Sequence, residues 1–142
     1  MKHTVLFLAT LTLYLSGCTA VNVQPVSPKN RITHVLIREN PRVPVTDFLD
    51  VLVEGFERHG ISTKIVPESA DFGNAYVVTY VAFQRWDLGT YLADATIGIQ
   101  MNGRRIASAE YHLRNGGGLS MMKWQSTKAK IDPVLDKLLK DY

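Results

Sequence analysis

The chain has a single cysteine, Cys18, in 142 residues. No intramolecular disulfide can form, so the fold must be held by its core. It also lacks a long apolar run: Thr4 to Leu15 is uncharged but spans only about a dozen residues, against roughly 20 for a membrane-crossing helix. Strong charge of either sign is missing too. A net charge of +3 is too small to hold a phosphate backbone, and no nucleic-acid partner is expected. There is no internal repeat and no low-complexity segment. Catalytic signatures are scarce. His34, His59 and His112 fall on separate segments without the spacing of metal ligands. Ser120 is followed by Met121-Met122, which breaks a Gly-x-Ser-x-Gly elbow. Gly116-Gly117-Gly118 lacks the Gly-Lys-Ser/Thr of a phosphate loop. These absences set three expectations: no cofactor, no metal and no enzymatic activity.

What the chain does have begins at its start. Met1-Lys2-His3 is positive, and Val5, Leu6, Phe7, Leu8, Leu11, Leu13 and Leu15 make a short apolar stretch. That length suits the central region of an export signal. Leu15-Ser16-Gly17-Cys18 then resembles the lipobox of bacterial lipoproteins. The resemblance implies diacylation of Cys18, cleavage after Gly17 and acylation of the new amino group. An ordinary secretory signal that happens to contain a cysteine is the alternative. Thr19 stands where an inner-membrane retention signal would carry Asp, which by the same resemblance implies an outer-membrane anchor with the domain in the periplasm. Burying acyl chains contributes about 0.8 kcal/mol per methylene, so two or three chains anchor firmly without a spanning helix. The predicted organisation is a signal peptide over 1–17, an acylated cysteine and flexible tether over 18–31, and one domain over 32–142. The tether reading rests on Pro25, Pro28 and the polar residues around them.

Within the domain, Ile32 to Arg38 reads as an internal strand and Thr46-Asp47 as a helix start. Val45, Phe48, Leu49, Leu52 and Phe56 recur at helical spacing, and Gly60 fits a left-handed C-terminal residue. Ile61 to Val66 completes a strand–helix–strand unit, which implies a parallel pair. Ala75 to Trp86 predicts a long inner strand, and Tyr91 to Met101 alternates apolar with polar. A last helix covers roughly Thr127 to Lys140, with Pro133 either kinking it or marking a second start. The expected fold is α+β: a two-layer sandwich with a mixed sheet of about five strands and both helices on one face.

The turn after Met101 poses a choice. Asn102-Gly103 suggests a two-residue hairpin loop, but that register sets Ser108 opposite Ile97 and Glu110 opposite Ala95. A three-residue loop, Met101-Asn102-Gly103, pairs Ile97 with Ala107 and Ala95 with Ala109, keeping the buried face apolar. Since a one-residue slip reverses a strand's faces, the three-residue loop is expected.

Two constellations remain. Asp94, Glu110 and His112 share the outward sheet face, either as an acid–base group or as an ordinary solvated surface. The stronger one joins Trp86, at the end of a strand, to Gly116, Gly117, Gly118, Met121, Met122, Lys123 and Trp124. A glycine hinge, adaptable methionines and amphipathic aromatics suit a surface that receives a partner or an acyl chain; Trp124 alternatively caps the core.

From about Arg31 onward the chain resembles an uncharacterised family of Gram-negative lipoproteins. The residues that carry the likeness are His59-Gly60-Ile61-Ser62-Thr63, Arg85-Trp86-Asp87, Ala107 to Leu113 and Gly117 to Trp124. Its element order is more distantly similar to envelope-assembly lipoproteins of the lipopolysaccharide-assembly and transporter-auxiliary types, a fold-level likeness that transfers no residues. The functional expectation is a membrane-anchored, non-enzymatic module that binds an envelope protein, lipid or glycan through the Gly116–Trp124 stretch. A lipid or glycan carrier with a groove between helices and sheet is the second reading, and an envelope hydrolase the third.

Overall fold

The computed structural model describes residues 19–142. The predicted signal peptide and Cys18 lie outside the described residues. Six strands form one mixed sheet: β1 (Thr19–Gln24), β2 (His34–Arg38), β3 (Ser62–Val66), β4 (Tyr76–Trp86), β5 (Thr90–Met101) and β6 (Arg104–Leu113). Their spatial order is β1-β6-β5-β4-β2-β3. β4, β2 and β3 are mutually parallel neighbours, and β4, β5, β6 and β1 pair antiparallel. Helices α1 (Phe48–Arg58) and α2 (Thr127–Leu138) cover one face.

The predicted apolar spacing builds this core. Phe48, Val51, Leu52 and Phe56 of α1 are buried with Ile131, Val134, Leu135 and Leu138 of α2. Beneath them lie Val35, Ile37, Val78, Tyr80, Ala95, Ile97, Ile99, Ala107 and Ala109. Phe48 stacks on Tyr80 with ring centroids 5.5 Å apart. The helices meet closely at Gly55, where a Cβ would fall 2.2 Å from Leu135 Cδ1. After Arg58 the chain closes a Schellman motif: Gly60 N–H bonds to Glu57 O and Ile61 N–H to Phe56 O. Gly60 has φ +75°, the left-handed residue expected there. α2 runs through Pro133 as one helix, and its start is capped by Ser126, whose hydroxyl accepts from Ala129 N–H at 3.2 Å. At the start of α1, within the predicted Thr46-Asp47 pair, Asp47 takes the cap position, with no side-chain cap bond. Arg58 and His59 at the end of α1 reach Asp136 of α2 at 2.6 and 2.9 Å.

Two expectations are corrected. The stretch 18–31 is no tether among the described residues. Thr19–Gln24 is an edge strand against β6, Val26 is buried, and Val26 N–H donates to Leu138 O at 2.9 Å. The physical reason is the outer edge of β6, whose backbone groups gain a partner, while Val21 and Val23 fall opposite Tyr111 and Ala109. With β1 added, the sheet has six strands, in keeping with the expected α+β sandwich with a mixed sheet of about five.

The hairpin loop is likewise the two-residue Asn102-Gly103, with φ +51° and +72° as the tightest hairpin turn requires. Met101 faces Arg104 and Gln100 faces Arg105, then a bulge shifts the register so that Ile99 meets Ala107, Ile97 meets Ala109 and Ala95 meets Tyr111. One extra residue in β6 reconciles a turn of the wrong parity with an apolar face. A second register shift, between Phe83 and Gln84 of β4, sits near the other end of β5.

Candidate functional site

One end of the sheet gathers the predicted constellation. Trp86 pairs with Thr90 where β4 turns into β5, and Thr19 at the start of β1 pairs with Leu113 at the end of β6. The start of β5 runs beside the end of β6, with Asp94 opposite His112. The Asp87–Gly89 turn, the segment after Leu113 and the first residue of β1 therefore share that end.

The segment after Leu113, where the sequence predicted a glycine hinge, follows a defined path of left-handed turns. Asn115, Gly116, Gly117 and Gly118 take positive φ in succession, from +50° to +80°. At Gly117 a Cβ would sit 2.8 Å from Lys123 Cβ and 3.1 Å from Leu113 Cδ2, so that position has neither the backbone freedom nor the room for a side chain. The short turn Met121–Trp124 follows, its start capped by Ser120, whose hydroxyl accepts from Met122 N–H.

Lys123 holds the two segments together. Its side chain is almost fully buried; Nζ donates to the Asp87 carboxylate and to Gly118 O (3.1 Å) and lies 4.5 Å from the Trp124 ring centroid. Trp124 Nε1 donates to Asp87 O at 3.0 Å, and its ring lies against Gly89. Lys123 thus faces inward, as does the half-buried Trp124, which packs on the core as the capping alternative described. The side chains turned outward are Trp86, Met121 and Met122, together with Leu88 and Leu119, which the sequence did not single out. These five are 62% to 103% exposed and are the most exposed large apolar residues among those described. A signal existed: Leu88 lies inside a turn and Leu119 directly after three glycines, where burial is hard to arrange.

Beside this end runs a groove of about 260 Å³ between α2 and β1, lined by Thr19, Tyr111, Met122, Lys130, Val134 and Lys137. Lys130 is buried without a carboxylate; Nζ donates to the carbonyl oxygens of Leu92 (3.0 Å) and Lys123. Burial pushes its ammonium down from 10.5 to about 8. Its place was readable in outline, since Lys130 falls on the helix face of Thr127 and Val134.

The other candidates disperse. His112 Nδ1 contacts the Asp94 carboxylate on the open sheet face, with Arg85 at 3.7 Å, while Glu110 lies opposite Thr96. His34 bonds Ser62 Oγ at 2.8 Å, and His59 belongs to the α1–α2 contact. A second hollow of about 260 Å³ lies on the open face among Arg38, Asn40, Thr79, Thr96, Gly98 and Arg105. Among the described residues no three of His, Cys, Asp and Glu converge on a metal position, and no helix is long and apolar enough to cross a membrane.

Against this geometry the comparisons speak to the fold. No protein-family model matches the chain, and no curated protein does. A dodecamer of a PelC variant from Paraburkholderia phytofirmans is similar in structure, with a TM-score of 0.56 at 14% identity over 85% of this chain and 94% of that one. A minor lipoprotein from Acinetobacter baumannii overlaps more loosely, with a TM-score of 0.31 at 16% identity over 75% and 87%. The first likeness supports the α+β sandwich; the second is too distant to carry an argument. The shared architecture assigns no residue a role.

Proposed function

We propose that the chain is a lipid-anchored, non-enzymatic accessory module of the bacterial envelope. Its acyl chains on Cys18 hold it to the outer membrane, its domain stands in the periplasm, and it binds another envelope component through the end built by Trp86–Thr90 and Arg114–Gln125. The observation that carries this reading is the clustering there of the five most exposed apolar side chains on a scaffold fixed by Lys123. Monomeric soluble domains rarely leave such a patch uncovered. The lipid anchor is supported by Leu15-Ser16-Gly17-Cys18.

A photocrosslinker at Met121 in intact cells tests the reading. It is expected to capture the same identified protein, lipid or glycan in repeated experiments, while the same group at Asn102, at the opposite end, captures none. No reproducible adduct at Met121 would count against it.

The groove between α2 and β1 favours a second reading, a carrier for an acyl-bearing ligand. Native mass spectrometry that finds no co-purifying molecule would sink it. Self-assembly, as in the PelC dodecamer, is a further arm of the same crosslinking. Among the described residues β1 and β3 each pair on one side only, and their other edges are where copies would join.

A further inference from the structure

The start of β1 and the apolar end coincide, and that coincidence names a surface. Cys18 is bonded to Thr19, so its acyl chains would leave the chain about one Cα–Cα step, 3.8 Å, from the residue that pairs with Leu113. A long flexible tether would let the domain turn in any direction. β1 removes that freedom, because the chain is already in the sheet at Thr19. Whatever holds the acyl chains therefore lies against the Trp86–Thr90 and Arg114–Gln125 segments.

Those segments have the composition of a bilayer boundary. Tryptophan settles at the head-group level, where its ring is half apolar and its N–H meets polar groups. Leucine and methionine gain by leaving water. Across both segments Asp87 is the only acid, and Lys123 neutralises it from within. Arg114 is exposed and suits anionic head groups. The opposite end, around Asn102-Gly103 and the 67–75 loop, has none of the nine exposed large apolar residues found among the described residues.

We infer that this end is seated in the head-group layer of the membrane that holds the acyl chains, with Trp86, Leu88, Leu119, Met121 and Met122 entering its apolar boundary. The inference rests on the lipid-anchor reading and makes the lipid surface the first component that the end binds.

The two tryptophans, Trp86 and Trp124, allow a direct test. Full-length protein, purified as the cell processes it, is placed in vesicles of phosphatidylethanolamine and phosphatidylglycerol whose acyl chains are brominated near the head group. Bromine is expected to quench the emission that Trp86→Phe removes and to spare the emission of the half-buried Trp124. Each apolar side chain contributes roughly tenfold in partitioning. A variant with Leu88, Leu119, Met121 and Met122 all changed to Ser should therefore lose the quenching while its acyl chains keep it vesicle-bound. Acylated, vesicle-bound protein with an unquenched Trp86 overturns the inference and leaves the anchor standing. A blue-shifted but unquenched Trp86 means that protein covers it, a second copy included, and also overturns the inference. Mass spectrometry of the N-terminal peptide reads the anchor separately. If Cys18 carries no acyl chain, the anchor reading fails. Quenching in that same sample would then show the end entering lipid unaided, and its absence would overturn the seating as well.

Discussion

The β2–α1–β3 unit and the Trp86/Arg114–Gln125 end use similar residue types in opposite senses. In the first, Phe48, Leu52 and Phe56 turn inward at helical spacing, while Asp50, Glu54, Glu57 and Arg58 lie off the buried stripe. In the second, Leu88, Leu119, Met121 and Met122 turn outward and Lys123 turns inward. The first is held by apolar burial, which is roughly proportional to area and tolerant of detail. The second is held by a few directional contacts to Asp87 and Gly118 and by four left-handed residues. The difference separates what makes the fold stable from what it presents. An arrangement that spends a buried ammonium to keep five apolar side chains in solvent has no rationale in stability alone.

The contrast can be broken from either side. Truncating the inward set should do the most harm: Phe56→Ala is expected to lower unfolding stability by about 3–5 kcal/mol in urea titration, through lost transfer and a cavity. Next comes Lys130. Its folded-state value lies below its unfolded one, so the folded protein releases a proton near pH 8 that the unfolded chain keeps to about 10.5. Stability should therefore rise over that window, by at most about 3 kcal/mol, and Lys130→Met should flatten the rise. Burial holds the Tyr80 and Tyr111 hydroxyls above their ordinary range, which acts in the opposite direction above pH 10. Urea midpoints at pH 8 and pH 10, wild type against variant, isolate the lysine.

Smaller effects sharpen the contrast. Lys123→Met should cost about 1–2 kcal/mol through the lost charged hydrogen bonds, with faster amide exchange over residues 114–124 and little change in α1. At the α1–α2 contact, Arg58 and then His59 hold the Asp136 carboxyl below its ordinary value. That contribution is present at neutral pH and is lost as pH falls below about 3.8 through the folded-state value. Because Asp136 is half-exposed, Asp136→Asn should cost under about 1 kcal/mol at pH 7 and progressively less as the pH is lowered below about 3.8. Least of all, Leu119→Ser should leave the urea midpoint within about 0.5 kcal/mol of wild type. A large loss there would place Leu119 in the fold rather than on its surface.

The same contrast explains what could be read from the residues. Elements whose side chains face one way at a regular period were legible: α1 with Gly60 closing it, the parallel β2–β3 pair, the inner strand β4, and α2. β1 was not, although Val21 and Val23 alternate, because prolines and polar residues surround a strand that only the edge of β6 completes. The β6 bulge was hidden for a related reason. Turn parity and buried-face parity conflict locally, and only the assembled sheet shows that one extra residue satisfies both. At the candidate site the residue set was legible while its orientation was not. Whether Lys123 or Met122 faces water depends on Asp87, more than thirty positions away in the sequence.

β1 also has a consequence in time. It is the first strand in the chain and among the last that can be laid down, because its partner β6, the α2 residue that binds Val26 and the Tyr142 hydroxyl that accepts from Ile32 N–H all lie toward the C-terminus. Until those residues have been delivered and folded, β1 lacks the partners that hold it in the native sheet. On the proposed lipid-anchor reading, an enzyme that acts at Cys18 would meet an unpaired stretch beside it then, and the arrival of the last helix would end that interval.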